Sequence, residues 1–257
     1  MTESFFTVES RDTPVIAFAI HGGHCIDNYL QQYLLLDEQQ RSREEDPYTG
    51  YLIAGLPVSR VTVQRSRFQL DLNRMKEKSV YREPGDAWGL QVWSQLPADV
   101  IERLYNDYEK FYTATYDLVE RAIVQHGYFL ILDVHSYNHR RDAYWHAADV
   151  ITHPEINVGT YYNREVWQSL CADLTKFLTS CKIFPHTIDA RQNIIFKGGA
   201  LSQQVLEKYG DKGAVFSVEF KKTFMDEWTG VADIPHINQL KALLEMSVDY
   251  LYKVIEQ

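Results

Sequence analysis

Long apolar runs in this sequence alternate with segments whose apolar residues recur at helical spacing. Three continuous runs have the length and composition of strands that are buried on both faces of a sheet, namely 14–23 (PVIAFAIHGG), 128–136 (YFLILDVHS) and 214–220 (AVFSVEF). Alternating or bunched apolar residues predict further extended segments at 58–66, 67–74, 182–189 and 191–196. The pattern therefore predicts a sheet whose central strands have no polar face.

Amphipathic segments predict the helices. The longest follows Asp99, the predicted N-cap, and ends at Gly127. Asn163 is predicted to cap a second helix, which runs to about Ser180. Further helices are predicted at 28–40, 202–210 and 236–256, and a structured loop is predicted from residue 75 to about Pro97.

Buried strands that alternate with helices predict the fold class. We expect an α/β protein with three layers, helices lying on both faces of a mixed, mostly parallel central sheet. The 13 glycines and 8 prolines are scattered, and no linker or repeat interrupts the chain. We therefore expect a single domain over residues 1–257.

Charge and cysteine content narrow the range of functions. The 26 basic residues against 35 acidic ones give a net charge of −9, which disfavours nucleic acid and acidic membranes as partners and favours a small-molecule substrate. The three cysteines, Cys25, Cys171 and Cys181, form no CxxC pair. Because no basic leader or apolar span of roughly 20 residues is present, we expect a soluble cytoplasmic protein. The sequence leaves homo-oligomer formation open.

Polar residues at the ends of the predicted strands are the candidates for chemistry. His21 and His135 each follow an apolar run, so parallel strands would bring both imidazoles to one edge of the sheet and outline a metal site. Glu219 ends a third strand and could be a ligand or a general base. Asn73 and Arg74 are donors suited to a substrate carboxylate. Each residue also has a purely structural interpretation, as a hydrogen-bonded or ion-paired strand end.

Five motifs occur in the order and spacing of a known family. They are an early His-Gly-Gly, SRFQLDLNR, LDVHS, FKGGALSQQVLEKYG and VFSVEFKKTFMDE. Together they resemble the N-formylglutamate amidohydrolase family, a distant relative of zinc carboxypeptidases and aspartoacylases. The resemblance runs from about residue 14 to residue 230. Its most specific parts are SRxxxDLNR at 66–74 and the run from Lys197 to Glu227.

This resemblance implies a zinc-dependent hydrolase acting on linear amides, with one Zn²⁺ and an N-acyl amino acid such as N-formyl-L-glutamate as substrate. It also implies the phosphorylase/hydrolase-like fold of zinc carboxypeptidases. His21 and His135 match two metal ligands of the family. Asp46 is the preferred third ligand, and His24, at the place where carboxypeptidase relatives have a Glu, is the alternative. Two histidines and a carboxylate form an established catalytic zinc set.

The resemblance also implies roles for the remaining candidates. Glu219 matches the general base for a water that the metal activates, and Arg67 matches a cation that polarises the scissile carbonyl. Asn73 and Arg74 match the clamp for the substrate's α-carboxylate. Asp133, two residues before His135, either orients that histidine or makes an internal hydrogen bond in the sheet.

One segment departs from the family pattern. After LDVHS the chain continues YNHRRDAYWH, a cluster of polar and cationic residues. Arg140 in this cluster is a candidate substrate contact that would favour a larger or more anionic substrate. The alternative is a solvated loop, because arginines are mostly exposed.

Three other functions stay open at this point. Ser136 beside His135, or Cys25 beside His24, could belong to a nucleophilic hydrolase, although neighbours on a strand point to opposite faces. The chain could be an inactive relative that binds acidic amino acids or peptides. It could also be a metal-dependent carboxypeptidase or an amidase acting on peptidoglycan peptides.

Overall fold

A computed structural model describes residues 4–183 and 186–255 of the chain. The strands of this described part, in chain order, are β1 (Phe6–Glu9), β2 (Val15–Ala19), β3 (Ser59–Val63), β4 (Phe129–Tyr137), β5 (Ile156–Gly159), β6 (Lys182–Ile183), β7 (His186–Thr187), β8 (Ala190–Gln192) and β9 (Gly213–Lys221). The α-helices are α1 (Asn28–Gln31), α2 (Glu38–Glu44), α3 (Thr49–Ile53), α4 (Ala98–His126), α5 (Gln168–Ser180), α6 (Ala200–Tyr209) and α7 (Ile234–Ile255).

Seven strands form one sheet in the order β1-β3-β2-β4-β9-β5-β8. Strands β3, β2, β4 and β9 are parallel to one another, and β5 is parallel to β8. The antiparallel contacts are those of β1 with β3 and of β5 with β9. Strands β6 and β7 form a separate antiparallel pair. The predicted mixed, mostly parallel sheet is confirmed.

Helices cover both faces of this sheet, which confirms the three-layer arrangement. Along β2, Val15, Ala17 and Ala19 pack into a core shared with α3, α5 and α7. The alternate residues Ile16 and Phe18 pack into a second core shared with α4 and α6. Each such apolar side chain contributes about 1.5–3 kcal/mol by its burial. Among the helices of the described chain, none combines the length and apolar character that spanning a bilayer requires.

The three long apolar runs form the central strands β2, β4 and β9, as predicted, and all residues of these strands are buried. The predicted strand at 67–74 is wrong. Its chain turns instead, with the Gln69 amide donating to the Ser66 carbonyl and the Asp71 amide donating to the Ser79 carbonyl. The alternation that predicts a strand comes from Phe68, Leu70 and Leu72, whose side chains are buried although the segment is irregular.

The continuous helix predicted at 28–40 is also wrong, because α1 and α2 are separate. Between them the Leu35 amide donates to the Val92 carbonyl, so tertiary contacts hold this apolar segment extended. Asp37 then starts α2 with a capping box, accepting from the Gln40 amide while the Gln40 side chain accepts from the Asp37 amide.

Two predicted caps differ from the structure. Helix α4 begins at Ala98 after Pro97, with no side-chain cap, so Asp99 lies in its first turn. At the other end, Gly127 has φ 83° and its amide donates to Ile123, as a glycine C-cap should. Asn163 does not cap α5, because its side chain bonds both backbone groups of Val215 in β9.

Short elements account for the remaining differences. The extended segments predicted at 182–189 and 191–196 contain β6, β7 and β8, while Phe184 and Pro185 lie outside the described residues, as does Glu256 of the predicted last helix. The predicted helices at 202–210 and 236–256 correspond to α6 and α7. Strands β1 and β5 have four residues each and carry no sequence pattern long enough to predict them.

Candidate metal centre

Two histidines and one aspartate meet at the carboxyl edge of the sheet. His21 follows β2, His135 lies in β4, and Asp46 lies between α2 and α3. Nδ1 of His135 is 2.9 Å from Oδ2 of Asp46, and Nδ1 of His21 is 3.4 Å from the same oxygen. One ligand atom from each residue lies within 4.8 Å of the others, and all three residues are buried. This geometry can hold a metal ion.

Parallel pairing of β2 with β4 brings the two histidines together, as the sequence predicted. The chain after His21 must also pass very close to its neighbours. A Cβ on Gly23 would lie 2.3 Å from the backbone of Gln64, and one on Gly22 would lie 2.6 Å from the hydroxyl of Thr49. Gly22 therefore lets the loop after β2 pack tightly beside the residues that follow Asp46, and Gly23 lets it pack beside the end of β3.

A second carboxylate stands behind each histidine. Nε2 of His21 is 2.8 Å from Oδ1 of Asp71. Nε2 of His135 is 2.9 Å from Oδ1 of Asp133, although the two are not aligned as a hydrogen bond. Such carboxylates orient metal-binding imidazoles and leave the other ring nitrogen free for the ion.

The Nδ1 atom of His21 shows directly that this group suits a cation. It is buried and has no hydrogen-bond partner among the described residues. A buried nitrogen without a partner costs free energy, and a metal ion bonded to it would remove that cost. Burial raises the pKa of Asp46, but the hydrogen bond with His135 and the attraction of both imidazoles outweigh it and hold the pKa well below its usual range, so this carboxylate is ionised and available as a ligand.

Glu219 faces His135 across the β4–β9 pairing. It is buried, and this burial raises the pKa of Glu219 to about 8, against the attraction of His135. The pKa of His135 is also raised, well above its usual value, because the attraction of Asp133 and Glu219 outweighs the effect of burial. A carboxyl group whose pKa lies near neutrality is suited to accept and return a proton.

A cavity of about 130 Å³ opens onto this group. The sequence-predicted residues that line it are His21, Asp46, Arg67, Asn73, His135 and Glu219. Arg67 contacts Asp71 at 2.9 Å and lies 3.9 Å from Oδ1 of Asp46, which places its guanidinium beside the metal group. The side-chain nitrogen of Asn73 lies 3.4 Å from Nε2 of His135, and its side-chain oxygen accepts a hydrogen bond from the backbone amide of Leu201.

Two predicted substrate contacts do not line the cavity. The guanidinium of Arg74 lies 3.5 Å from Oδ2 of Asp71 and over the ring of Tyr81. The guanidinium of Arg140 is 3.8 Å from Asp226. The neighbouring Arg141 lines the cavity instead.

His24 lies apart from the metal group. Its Nδ1 is 2.5 Å from Oε2 of Glu45, and its Nε2 is 3.2 Å from a guanidinium nitrogen of Arg41. Its side chain is 44% exposed. His24 therefore has carboxylate and cation partners of its own, and Asp46 is the carboxylate that faces the two buried histidines.

Several cavity residues were not predicted from the sequence to contact the metal or the substrate. Glu44, Ser136 and Arg141 line the cavity, and so does Lys222, whose side chain is almost fully buried. Burial lowers the pKa of Lys222 to about 8, against the attraction of Asp46 and Glu44. In the sequence, Lys222 lies three residues after Glu219, within the VFSVEFKKTFMDE motif.

The geometry does not favour a serine or cysteine nucleophile. The ring nitrogens of His135 face Asp46 and Asp133, and the buried hydroxyl of Ser136 has no hydrogen-bond partner among the described residues. Cys25 is an exposed free thiol, while Nδ1 of His24 contacts Glu45. Neither nucleophile is paired with the histidine beside it.

Comparison with known proteins identifies related sequences and structures. The sequence profile of the N-formylglutamate amidohydrolase family matches residues 13–225. A crystal structure of an N-formylglutamate amidohydrolase from Ralstonia eutropha JMP134 superimposes with a TM-score of 0.73 at 15% identity, over 97% of this chain and 99% of that one. A gene product from Agrobacterium tumefaciens gives a TM-score of 0.70 at 14% identity, over 98% and 96% of the two chains. No curated protein sequence matches the chain. At these identities the two structures establish the shared fold.

Proposed function

This chain belongs to the N-formylglutamate amidohydrolase family and is therefore a hydrolase, and on that premise we propose that it is a zinc-dependent enzyme that cleaves the amide bond of an N-acyl amino acid such as N-formyl-L-glutamate. One observation carries the proposal. Three buried ligand atoms from His21, Asp46 and His135 lie within 4.8 Å of one another. All three residues line a cavity that Glu219 also lines.

The proposed ligands are Nδ1 of His21, Nδ1 of His135 and the carboxylate of Asp46, with one zinc ion per chain. This assignment is supported by the contacts of the opposite ring nitrogens with Asp71 and Asp133. When bound there, zinc would supply a Lewis acid that lowers the pKa of water and polarises an acyl carbonyl.

Glu219 is the proposed general base. Its carboxylate would take the proton from the attacking water and return it to the nitrogen of the departing amino acid. The raised pKa of Glu219 supports this role, because the group must be able to hold that proton between the two transfers. Arg67 is the proposed cation for the developing negative charge on the carbonyl oxygen, since it is the guanidinium closest to Asp46 in the cavity.

The remaining residues have less direct proposed roles. Asn73 is on the cavity wall and can contact the substrate there. Arg74 would act through Asp71, whose carboxylate it approaches to 3.5 Å. Arg140 does not line the cavity, so it would contribute to substrate binding only by holding the loop in which Arg141 reaches the cavity.

The proposed setting is a single catalytic domain that acts on a small molecule in the cytoplasm, without nucleic-acid or membrane partners. The acidic net charge of −9 supports the absence of nucleic-acid partners. Three free cysteines support a reducing compartment.

A substrate panel tests this function. The purified protein, loaded with zinc, would be given N-formyl-L-glutamate, N-acetyl-L-glutamate and a peptide with a free C-terminus. We expect formate release from the first substrate to be fastest, to stop on chelation and to return with zinc. Release of the C-terminal residue of the peptide without deformylation would show a carboxypeptidase instead. Binding of N-formyl-L-glutamate without turnover would show an inactive relative.

A further inference from the structure

Three cations line the catalytic cavity in the described part of the chain: Arg67, Arg141 and Lys222. Two of them already have carboxylate partners. Arg67 contacts Asp71 at 2.9 Å, and Arg141 contacts both carboxylate oxygens of Glu44, at 3.2 and 3.0 Å. These two guanidiniums are therefore engaged before any substrate arrives.

Lys222 differs from both arginines. Lys222 is only 1% exposed, and its ammonium donates to the backbone carbonyls of Arg43 and Glu45, at 2.6 and 2.7 Å. No carboxylate of the described residues lies within 4 Å of its Nζ atom. Since an ammonium has three hydrogens to donate, one remains without an acceptor in the described structure.

A buried ammonium is stabilised best by a carboxylate that contacts it, and Asp46, Glu44 and Glu227 attract Lys222 only from beyond contact distance. Removing such an ion from water costs several kcal/mol, and carbonyl dipoles offset this cost less well than a negative charge does. Because Lys222 lines the cavity, an anionic oxygen of a bound substrate can supply a contacting partner.

Two further polar atoms in the same cavity lack partners. The hydroxyl of Ser136 and the Oδ1 atom of Asn138 are buried and have no hydrogen-bond partner among the described residues. Both residues line the same cavity of about 130 Å³ as Lys222. Groups that line so small a space are within reach of one small ligand.

We propose that Lys222 binds a carboxylate of the substrate in this cavity and that the hydroxyl of Ser136 donates a hydrogen bond to the same carboxylate. This inference rests on the proposed function and deepens it, because it assigns the substrate's anionic anchor to a residue other than Arg74. Arg74 contacts Asp71 and Tyr81 and is not among the residues that line the cavity. The anchored carboxylate is either the α-carboxylate or the side-chain carboxylate of an N-acyl acidic amino acid.

A purely structural role for Lys222 makes a different prediction. Its two carbonyl partners flank Glu44 and precede Asp46, so Lys222 could serve only to brace the loop that carries the metal ligand. Loss of such a brace would reduce zinc binding and slow every substrate equally. Loss of an anchor would penalise only the substrates that carry the recognised carboxylate.

The test compares Lys222→Met with a matched control, Lys221→Met. Lys221 is also buried, but its ammonium donates to the carbonyl of His153 and does not line the cavity. For each protein, kcat/KM is measured on N-formyl-L-glutamate, on its α-amide and on N-formyl-L-glutamine, and zinc content is measured alongside. We expect Lys222→Met to keep its zinc and to lose about 10- to 100-fold on substrates with the anchored carboxylate. On the substrate that lacks the anchored carboxylate, either the α-amide or N-formyl-L-glutamine, kcat/KM should differ little between Lys222→Met and the wild type. Which of the two substrates behaves in this way identifies the carboxylate.

A binding measurement separates this inference from the proposed function. Calorimetric titration of zinc-loaded wild type and Lys222→Met with glutarate, and with glutaramide as the uncharged control, needs no turnover. We expect glutarate to bind the wild type at least tenfold more tightly than the variant. If this difference in affinity were found and no substrate were hydrolysed, Lys222 would still be an anion-binding residue, but the proposed reaction would be wrong. Equal glutarate affinity in both proteins, no glutarate binding to the wild type, or loss of zinc from the variant would overturn the inference.

Discussion

Nε2 of His21 lies 2.8 Å from Oδ1 of Asp71, a residue in the segment whose pattern predicted a strand and whose chain instead forms turns. Arg67 and Tyr81 hold the same carboxylate from its other side. Burial raises the pKa of Asp71, but Arg67 and His21 outweigh it and keep the pKa well below its usual value. Asp71 therefore stays ionised and fixes the orientation of His21.

Asp71→Asn should weaken zinc binding about 10- to 100-fold, because loss of a carboxylate behind a ligand histidine has effects of this size. Competition with a chromophoric chelator measures the affinity. Asp86→Asn is the matched control, since Asp86 is also a buried aspartate, and among the described residues its side chain bonds the backbone amides of Arg82 and Glu83 and the ammonium of Lys78. Equal zinc affinity in both variants would remove Asp71 from this role.

The identity of the third ligand can be decided by two substitutions. Asp46→Ala should abolish stoichiometric zinc binding, because Oδ2 of Asp46 faces both histidines. His24→Ala should leave the zinc content unchanged, because His24 is partly exposed and contacts Glu45. Elemental analysis after gel filtration provides the measurement. The opposite pattern would make His24 the ligand.

Glu219→Gln should retain zinc and lose about 10²- to 10⁴-fold in kcat, the usual contribution of a general base. Gln has nearly the same shape but cannot take a proton. Steady-state formate release and zinc content in the same preparation provide the measurement. A loss of less than tenfold with full zinc content would exclude Glu219 as the base.

Glu219 should also make the stability of the metal-free protein depend on pH. Burial raises the pKa of its carboxyl from 4.5 to about 8, so between these values the folded protein holds a proton that the unfolded chain has released. The resulting stability is fully present below pH 4.5 and is lost as the pH rises through 8. As the pH rises from 5 to 8, the free energy of unfolding should decrease less in Glu219→Gln than in the wild type. The difference between the two decreases should be at least about 1 kcal/mol. Urea titrations from pH 5 to pH 8 measure this difference, and parallel curves would contradict it.

The sequence located the parts of the site that lie on regular strands. His21, His135 and Glu219 follow or end buried apolar runs, and parallel pairing alone determines that such positions meet at one edge of a sheet. The runs also predicted the three layers, because a strand that is buried on both sides needs helices on both faces.

Residues on irregular chain could not be located in the same way. Asp46 reaches the site because its amide donates to the His21 carbonyl, a contact between segments far apart in the sequence. Only the family resemblance pointed to Asp46. In the loop after His135, no periodicity distinguishes Arg140 from Arg141, and long-range contacts with Asp226 and Glu44 decide which guanidinium enters the cavity.

The central claim is that His21, Asp46 and His135 hold one metal ion on which amide hydrolysis depends. Stepwise addition of zinc to chelator-treated protein, with bound zinc and formate release from N-formyl-L-glutamate measured at each step, tests this claim most directly. The account predicts that activity rises in proportion to bound zinc and stops rising at one ion per chain. Full activity in protein that is still free of zinc would contradict it.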